Sequence, residues 1–206
     1  AVTNRIYVAN RGSNDVTVID GATNGTTTVA VGSGPTDVAL NPVINKIYTA
    51  NANDNSVTVI DGATGATRTV PVGAFPLAVA VNTVTNRIYV ASYDSQSVTV
   101  IDGATNATSS VAMAFPLWNV AVNETTNRVY ALSPAPVVAV IDGATNAVRV
   151  LSVGPSPGSI AINEATNRIY VTHWPANSVS VINGDTEGIT VVATQAGPYG
   201  PAVNPV

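Results

Sequence analysis

The sequence predicts an all-β chain in which one four-stranded unit is repeated five times. The segment VIDGAT begins at residues 18, 59, 100 and 140, and it returns as VINGDT at 181–186. No stretch keeps the apolar spacing of about 3.6 residues that marks an amphipathic helix. A fixed period of this kind indicates a repeat architecture. The glycines of the repeated motif, spaced by 41, 41, 40 and 41 residues, are Gly21, Gly62, Gly103, Gly143 and Gly184.

Each unit contains four short strands in a fixed order, which we name A to D. In 36–73 the strands are TDVALN, KIYTAN, SVTVID and TRTVPVG. Val, Ile, Tyr and Thr favour strands, and Gly, Asn, Asp and Pro mark the turns between them. Type A and B strands are apolar on both faces, which suits a sheet between two others. Type D strands alternate threonine with valine, which suits an outer strand with one wetter side.

A four-stranded unit repeated every 40–45 residues or so is typical of a β-propeller blade. The motifs IYVAN, IYTAN and IYVTH, with the VTVIDGAT and VALNP segments, resemble the YVTN-type β-propeller repeat. That family comprises bacterial and archaeal surface-layer and exported proteins. The resemblance covers essentially the whole chain and implies one propeller domain, 1–206, with strand A innermost. It does not define an activity, because propellers carry many functions.

The ring is predicted to have five blades and to close through the C-terminal strand. The chain begins in a type B strand at 4–10 and ends in a type A segment, PAVNPV, at 201–206. This last strand is expected to join the N-terminal blade, which would remove open sheet edges. The alternatives are a fragment of a larger propeller or self-association, because an open arc would expose apolar sheet faces.

Composition restricts the function. Charged residues make up 10% of the chain, the formal net charge is −4 and no basic run occurs, which argues against nucleic-acid binding. No apolar run approaches the roughly 18–20 residues of a membrane helix. The absence of cysteine excludes disulfides and Cys-ligated metals. These features fit the mature region, without signal peptide, of an extracellular, cell-surface or periplasmic protein.

The turn motifs are interpreted as structural. An aspartate ends strand C in the first four units, where we expect it to cap local N–H groups while the following glycine takes a positive φ. An Asn–Arg or Asn–Lys pair opens every strand B. Because it recurs in each unit, we expect it to stabilise the blade rather than to bind a ligand.

The candidate binding residues lie in the B–C and D–A connections, which the strand order gathers at one end of the ring. Side chains that depart from the repeat are informative there, and concentrated aromatics with a few polar groups are typical of a binding patch. Phe75 and Phe115 are also explained as filling space between blades, and Asp54 lies in the same set of loops. The candidates are Arg11, Asp15, Asp37, Tyr93, Asp94, Trp118, His173, Trp174 and Tyr199.

Most catalytic classes lack their motifs. A glycosidase needs two converging carboxylates, whereas Glu124, Glu164 and Glu187 fall in or near turns at the opposite end. There is no G-x-S-x-G elbow and no cysteine for nucleophilic catalysis. NANDNSV at 51–57 lacks the glycine and glutamate of a Ca²⁺ loop. No metal or other cofactor is predicted.

His173 is the one candidate catalyst. It is the only histidine and precedes Trp174, and a lyase or hydrolase with His173 as general base and Asp15 or Asp94 as partner is the enzyme alternative. The interpretation that the sequence favours is a non-catalytic binding or structural module whose loop face binds a ligand, protein or glycan. In the other repeats, the position of His173 holds Asn10, Asn51, Ser92 and Ser133.

Overall fold

The computed structural model describes residues 4–204, which form nineteen β-strands in five antiparallel sheets and no helix. In every sheet the order of neighbouring strands follows the chain. Sheets 1 to 3 belong to one compact unit that ends at Ala112, and sheets 4 and 5 belong to a second unit that begins at Met113. The predicted all-β class and the predicted repeat are confirmed.

The strand bounds match the repeat. Sheet 1 holds β1 (Arg5–Asn10), β2 (Asp15–Asp20) and β3 (Thr26–Ala30). Sheet 2 holds β4 (Pro35–Asn41), β5 (Lys46–Asn51), β6 (Ser56–Asp61) and β7 (Thr67–Pro71). Sheet 3 holds β8 (Pro76–Asn82), β9 (Arg87–Ser92), β10 (Ser97–Asp102) and β11 (Thr108–Ala112). Sheet 4 holds β12 (Asn119–Asn123), β13 (Arg128–Leu132), β14 (Val137–Asp142) and β15 (Val148–Ser152). Sheet 5 holds β16 (Pro157–Asn163), β17 (Arg168–His173), β18 (Ser178–Asn183) and β19 (Ile189–Ala193).

The core of each unit comes from the middle strands of its sheets. In the first unit Tyr48, Ile88 and Ile101 are fully buried in one cluster. In the second unit Tyr130 and Leu132 have the same role. The type D strands are mostly exposed, and β7 buries only Val70. The prediction that the type D strands are the wetter ones is therefore confirmed, whereas the type A strands are only partly buried.

Two of the repeated motifs meet where strand B begins and strand C ends. The Gly103 N–H donates to the Asn86 carbonyl oxygen at 2.8 Å, and a Cβ on Gly103 would lie 2.2 Å from Asn86 Oδ1. Asn86 itself has a φ of 51°. The same pairing recurs between Gly21 and Asn4, Gly62 and Asn45, Gly143 and Asn127, and Gly184 and Asn167.

The expected positive φ of these glycines is wrong, because none of the five adopts it. The glycine is required by the close approach of the asparagine, whose side chain leaves no room for a Cβ. The expected aspartate cap is correct, since Asp102 Oδ1 accepts the N–H groups of Ala104 at 3.0 Å and Thr105 at 2.8 Å. The positive φ falls three residues after the glycine, at Asn24, Gly65, Asn106, Asn146 and Glu187.

The Asn–Arg motif also joins neighbouring sheets inside each unit. Asn41 Nδ2 donates to Asn86 Oδ1 at 3.0 Å between sheets 2 and 3, and Asn123 Nδ2 donates to Asn167 Oδ1 at 2.9 Å between sheets 4 and 5. Arg5 donates to the Gly62 carbonyl oxygen at 2.7 Å. These contacts give the motif the stabilising role that its recurrence predicts.

Sheet 1 has three strands, and β1 forms one of its edges. The described part of the predicted closing strand, 201–204, is not in a strand. It lines a cavity of about 320 Å³ with Asn163, Tyr170 and Val179 of sheet 5. Pro205 and Val206 lie outside the described residues, so closure through the C-terminal strand stays a prediction.

Candidate functional site

The B–C loops and D–A segments bond to each other within each unit. Asn55 accepts the Val72 N–H on its carbonyl oxygen at 3.0 Å and the Phe75 N–H on Oδ1 at 2.9 Å. The Phe75 carbonyl oxygen then accepts the Tyr93 N–H of the next loop at 2.9 Å. Asn14 and Asn177 hold the segments after β3 and β19 in the same way. The predicted grouping of these loops is therefore observed inside each unit.

His173 is fully buried at the end of β17. Its Nδ1 lies 3.1 Å from the Pro155 carbonyl oxygen, and its Nε2 lies 2.8 Å from Ser180 Oγ. Because a carbonyl oxygen only accepts, Nδ1 carries the proton and Nε2 accepts from the serine hydroxyl. Burial lowers the pKa of His173, since it penalises the charged imidazolium, and the Pro155 bond opposes this effect in part.

The surroundings of His173 correspond to those of its counterparts in other repeats. Asn51 Nδ2 donates to Ser56 Oγ at 3.0 Å and to Thr58 Oγ1 at 2.9 Å, and Ser180 stands at the repeat position of Thr58. A Cβ on Gly154 would lie 3.0 Å from the His173 ring. With both ring nitrogens bonded and no exposed surface, the imidazole has no free nitrogen to take a proton from a substrate.

Two of the candidate aspartates are engaged in backbone or loop contacts. Asp37 on β4 accepts the N–H groups of Val38 and Val79, each at 2.9 Å, and so links β4 to β8 of sheet 3. Burial raises its pKa, and the two N–H bonds oppose that rise. Asp15 accepts from Asn10 Nδ2 at 2.6 Å. Both oxygens of Asp37 and one oxygen of Asp15 are therefore occupied by hydrogen bonds within the protein.

Trp118 belongs to the core of the second unit. It is half-buried against a cluster that includes Tyr130, Leu132 and Val171, and its backbone N–H donates to the Leu132 carbonyl oxygen at 3.0 Å. The position of Trp118 results from a departure from the repeat in the segment before strand A. Gly34, Phe75 and Ser156 have a positive φ before strand A, but the matching residue of sheet 4 is a proline, whose φ is fixed near −65°. Strand β12 therefore starts later, at Asn119.

Four candidates remain exposed. Arg11 and Asp94 lie in the tight turns after β1 and β9. Trp174 is 61% exposed and Tyr199 is 78% exposed. A Cβ on Gly197 would lie 3.2 Å from Trp174 Nε1, so the indole lies against the chain two residues before Tyr199. Trp174 and Tyr199 are the two exposed aromatic residues among the nine candidates, and this aromatic pair lies beside sheet 5.

Among residues 4–204 no three side chains of histidine, aspartate or glutamate are placed to hold a metal ion. In the same range no helix is long and apolar enough to span a bilayer.

The sequence interpretation missed a cavity of about 460 Å³ between sheets 1 and 2, at the C–D end. Arg5, Asp20 and Tyr7 line it, and the Tyr7 hydroxyl is buried with no hydrogen-bond partner among residues 4–204. A comparison of the repeats could have predicted this cavity. Thr27 and Gly65 line it, and the equivalent repeat positions between sheets 4 and 5 hold Arg149 and Glu187, which form an ion pair.

Comparison with known proteins supports the fold. No family model matches the chain, and a search of curated proteins finds no match. The hydrazine synthase of Kuenenia stuttgartiensis is similar over 98% of this chain and 68% of its own, with 21% identity and a TM-score of 0.84. A chain of a nidogen/laminin complex is similar over 97% of this chain and 80% of its own, with 13% identity and a TM-score of 0.74. Both are β-propeller proteins.

This chain has the β-propeller fold. Its five antiparallel sheets correspond to blades, as the repeat predicts. Likeness at these identities concerns the fold alone, because one fold serves many functions. Membership of the YVTN-type family stays a prediction.

Proposed function

We propose that the chain is a non-catalytic binding or structural module of an exported or cell-surface protein of the YVTN type. The observation that carries this proposal is the exposure of Trp174 and Tyr199 at one loop end of sheet 5. Trp118, Phe75, Phe115 and Tyr93 are half-buried by comparison. Large aromatic side chains left in water at a loop end are typical of surfaces that bind a partner.

The chemistry around this aromatic pair indicates the kind of partner. Segments 172–178 and 194–201 contain no Asp, Glu, Lys or Arg, and His173 is buried with a lowered pKa. Charge attraction therefore contributes little, and binding is expected to vary weakly with salt. A neutral partner with an apolar face, such as a glycan or an uncharged protein loop, fits these residues.

The experiment compares wild type with Trp174→Ala and Tyr199→Ala on an array of neutral glycans. Each variant is expected to bind at least about tenfold more weakly, because exposed aromatics are common hot spots. Val84→Ala is the matched control, since Val84 is 75% exposed in a turn of another sheet. Unchanged binding by both aromatic variants would contradict the proposed surface.

The location outside the cytoplasm is part of the same proposal. It is supported by the lack of cysteine and by the polar surface rich in threonine and asparagine. Fractionation of the source cells tests it directly, and recovery of the protein with the cytosol would contradict it.

A further inference from the structure

Three Asn-x-Thr triplets occur in the sequence, at 24–26, 106–108 and 123–125. A triplet of this form, with any residue except proline in the middle, is the acceptor for N-linked oligosaccharide in exported proteins. The modifying enzyme must reach the side-chain amide of the asparagine. The surroundings of each asparagine therefore decide which triplets are usable.

The third triplet is not accessible to the modifying enzyme in the folded protein. Asn123 is fully buried, and its Nδ2 donates to Asn167 Oδ1 at 2.9 Å. Its Oδ1 accepts the Thr126 N–H at 3.1 Å. A sugar on this amide would break the joint between sheets 4 and 5.

The other two triplets occupy one repeat position. Asn24 and Asn106 stand at the tip of the C–D turn, with φ values of 59° and 61°. Each lies two residues before an outer strand, at Thr26 and Thr108, and both threonines are exposed. Asn24 is exposed and Asn106 is half-exposed. Within residues 4–204 no hydrogen bond engages either side-chain amide.

We propose that Asn24 and Asn106 accept N-linked oligosaccharides. In the transfer, Nδ2 forms a bond to the anomeric carbon of the sugar and gives up a proton. The lipid phosphate that carried the oligosaccharide is the leaving group. The proposal rests on the export included in the proposed function, and it is independent of the aromatic surface.

The outer strands explain why these two turns would carry sugars. Each type D strand forms an edge of its sheet, and an open edge needs a charge, a proline or a cover to prevent pairing with another chain. Strand β7 contains Arg68 and Pro71, and β15 contains Arg149. Strands β3 and β11 contain neither charge nor proline, and each follows an Asn-x-Thr turn.

Strand β19 is the exception to this division. Its sequence ITVVA has no charge or proline, and no triplet precedes it. Val191 is 62% exposed and Val192 is 48% exposed. Of the three type D edges that lack a charge or a proline, the proposed glycans therefore cover those of β3 and β11 and not that of β19.

In the experiment, the full chain is secreted from a host that performs N-glycosylation, and modified peptides are mapped by mass spectrometry. Wild type is expected to carry one glycan at Asn24 and one at Asn106. Asn24→Gln and Asn106→Gln should each remove one glycan, and Asn123→Gln should remove none. Gly65→Asn creates Asn-Ala-Thr at the same turn of sheet 2, and it should add a third glycan.

Two results would overturn the proposal. One is unmodified Asn24 and Asn106 in a host that modifies a triplet placed in a C-terminal tag. The other is modification of Asn123 in the secreted, folded protein. Trp174→Ala should leave glycan occupancy unchanged, and Asn24→Gln with Asn106→Gln should leave array binding unchanged, so failure of either proposal is seen separately.

Discussion

Gly62 lies directly against Asn45: its N–H donates to the Asn45 carbonyl oxygen at 2.9 Å, and an added Cβ would lie 2.3 Å from Asn45 Oδ1. Gly62→Ala should therefore destabilise the protein by about 1–3 kcal/mol, since the asparagine has to move out of its turn. Urea unfolding followed by circular dichroism measures this loss.

Gly65 provides the matched control for Gly62→Ala. It has a φ of 74° and no atom within 4 Å of an added Cβ, and the same turn position holds Asn24, Asn106 and Asn146 in other repeats. Gly65→Asn should stay within about 0.5 kcal/mol of wild type, because asparagine tolerates the left-handed region. Equal losses for the two substitutions would contradict the close-approach explanation.

His173 should make the protein less stable in mild acid. Burial lowers the pKa of His173, so below the ordinary value near 6.5 the unfolded chain takes up a proton that the folded chain resists. The free energy of unfolding should fall as the pH drops from 7 towards 5, by at most about 1.4 kcal/mol per pH unit from this site.

His173→Asn should remove this pH dependence and keep the fold, because asparagine occupies the same position at Asn10 and Asn51. The comparison is made by urea unfolding of both proteins at several pH values. An unchanged slope in the variant would show that the imidazole does not cause the acid sensitivity.

Asp37 should contribute to stability through the two N–H groups that it accepts. Asp37→Ala leaves the Val38 and Val79 N–H groups without that acceptor, and a loss of about 1–3 kcal/mol is expected. Asp37→Asn keeps one acceptor oxygen and should lose less. Asp94→Ala, at an exposed turn position, should change stability by less than about 0.5 kcal/mol. Thermal unfolding would contradict the capping role if all three variants matched wild type.

Ring closure within one chain predicts a single species of 20.9 kDa in solution. Light scattering coupled to size-exclusion chromatography measures the mass at several concentrations. A stable species near twice that mass would contradict closure within one chain and would favour association of two copies through open edges such as β1.

The repeat predicts the strands well because alternation and turn residues are local properties of the sequence. It predicts Asp102 as a cap for the same reason, since the N–H groups that it binds are two and three residues away. The role of Gly103 depends on Asn86, which is distant in sequence, so local turn rules assign it a positive φ that it does not have. The asparagines that recur three residues later show where the left-handed residue lies.

The candidate site is predicted less completely because exposure depends on what covers a side chain. His173 and Trp174 are adjacent in sequence, yet one is fully buried and the other is 61% exposed. His173 is the last residue of β17 and Trp174 the first of the turn that follows, and the segment around Gly154 and Pro155 covers the imidazole. An unusual residue at a repeat position can be recognised from the sequence. Whether its side chain is exposed or buried depends on contacts with segments distant in sequence.

The bonds from Asn41 to Asn86 and from Asn123 to Asn167 use the same two repeat positions. The junction of sheets 2 and 3 and the junction of sheets 4 and 5 therefore use the same connection. Gene duplication or deletion in steps of about 41 residues would preserve every such junction. A repeat with the same junction residues on both sides is the unit from which propellers with more or fewer blades can be built.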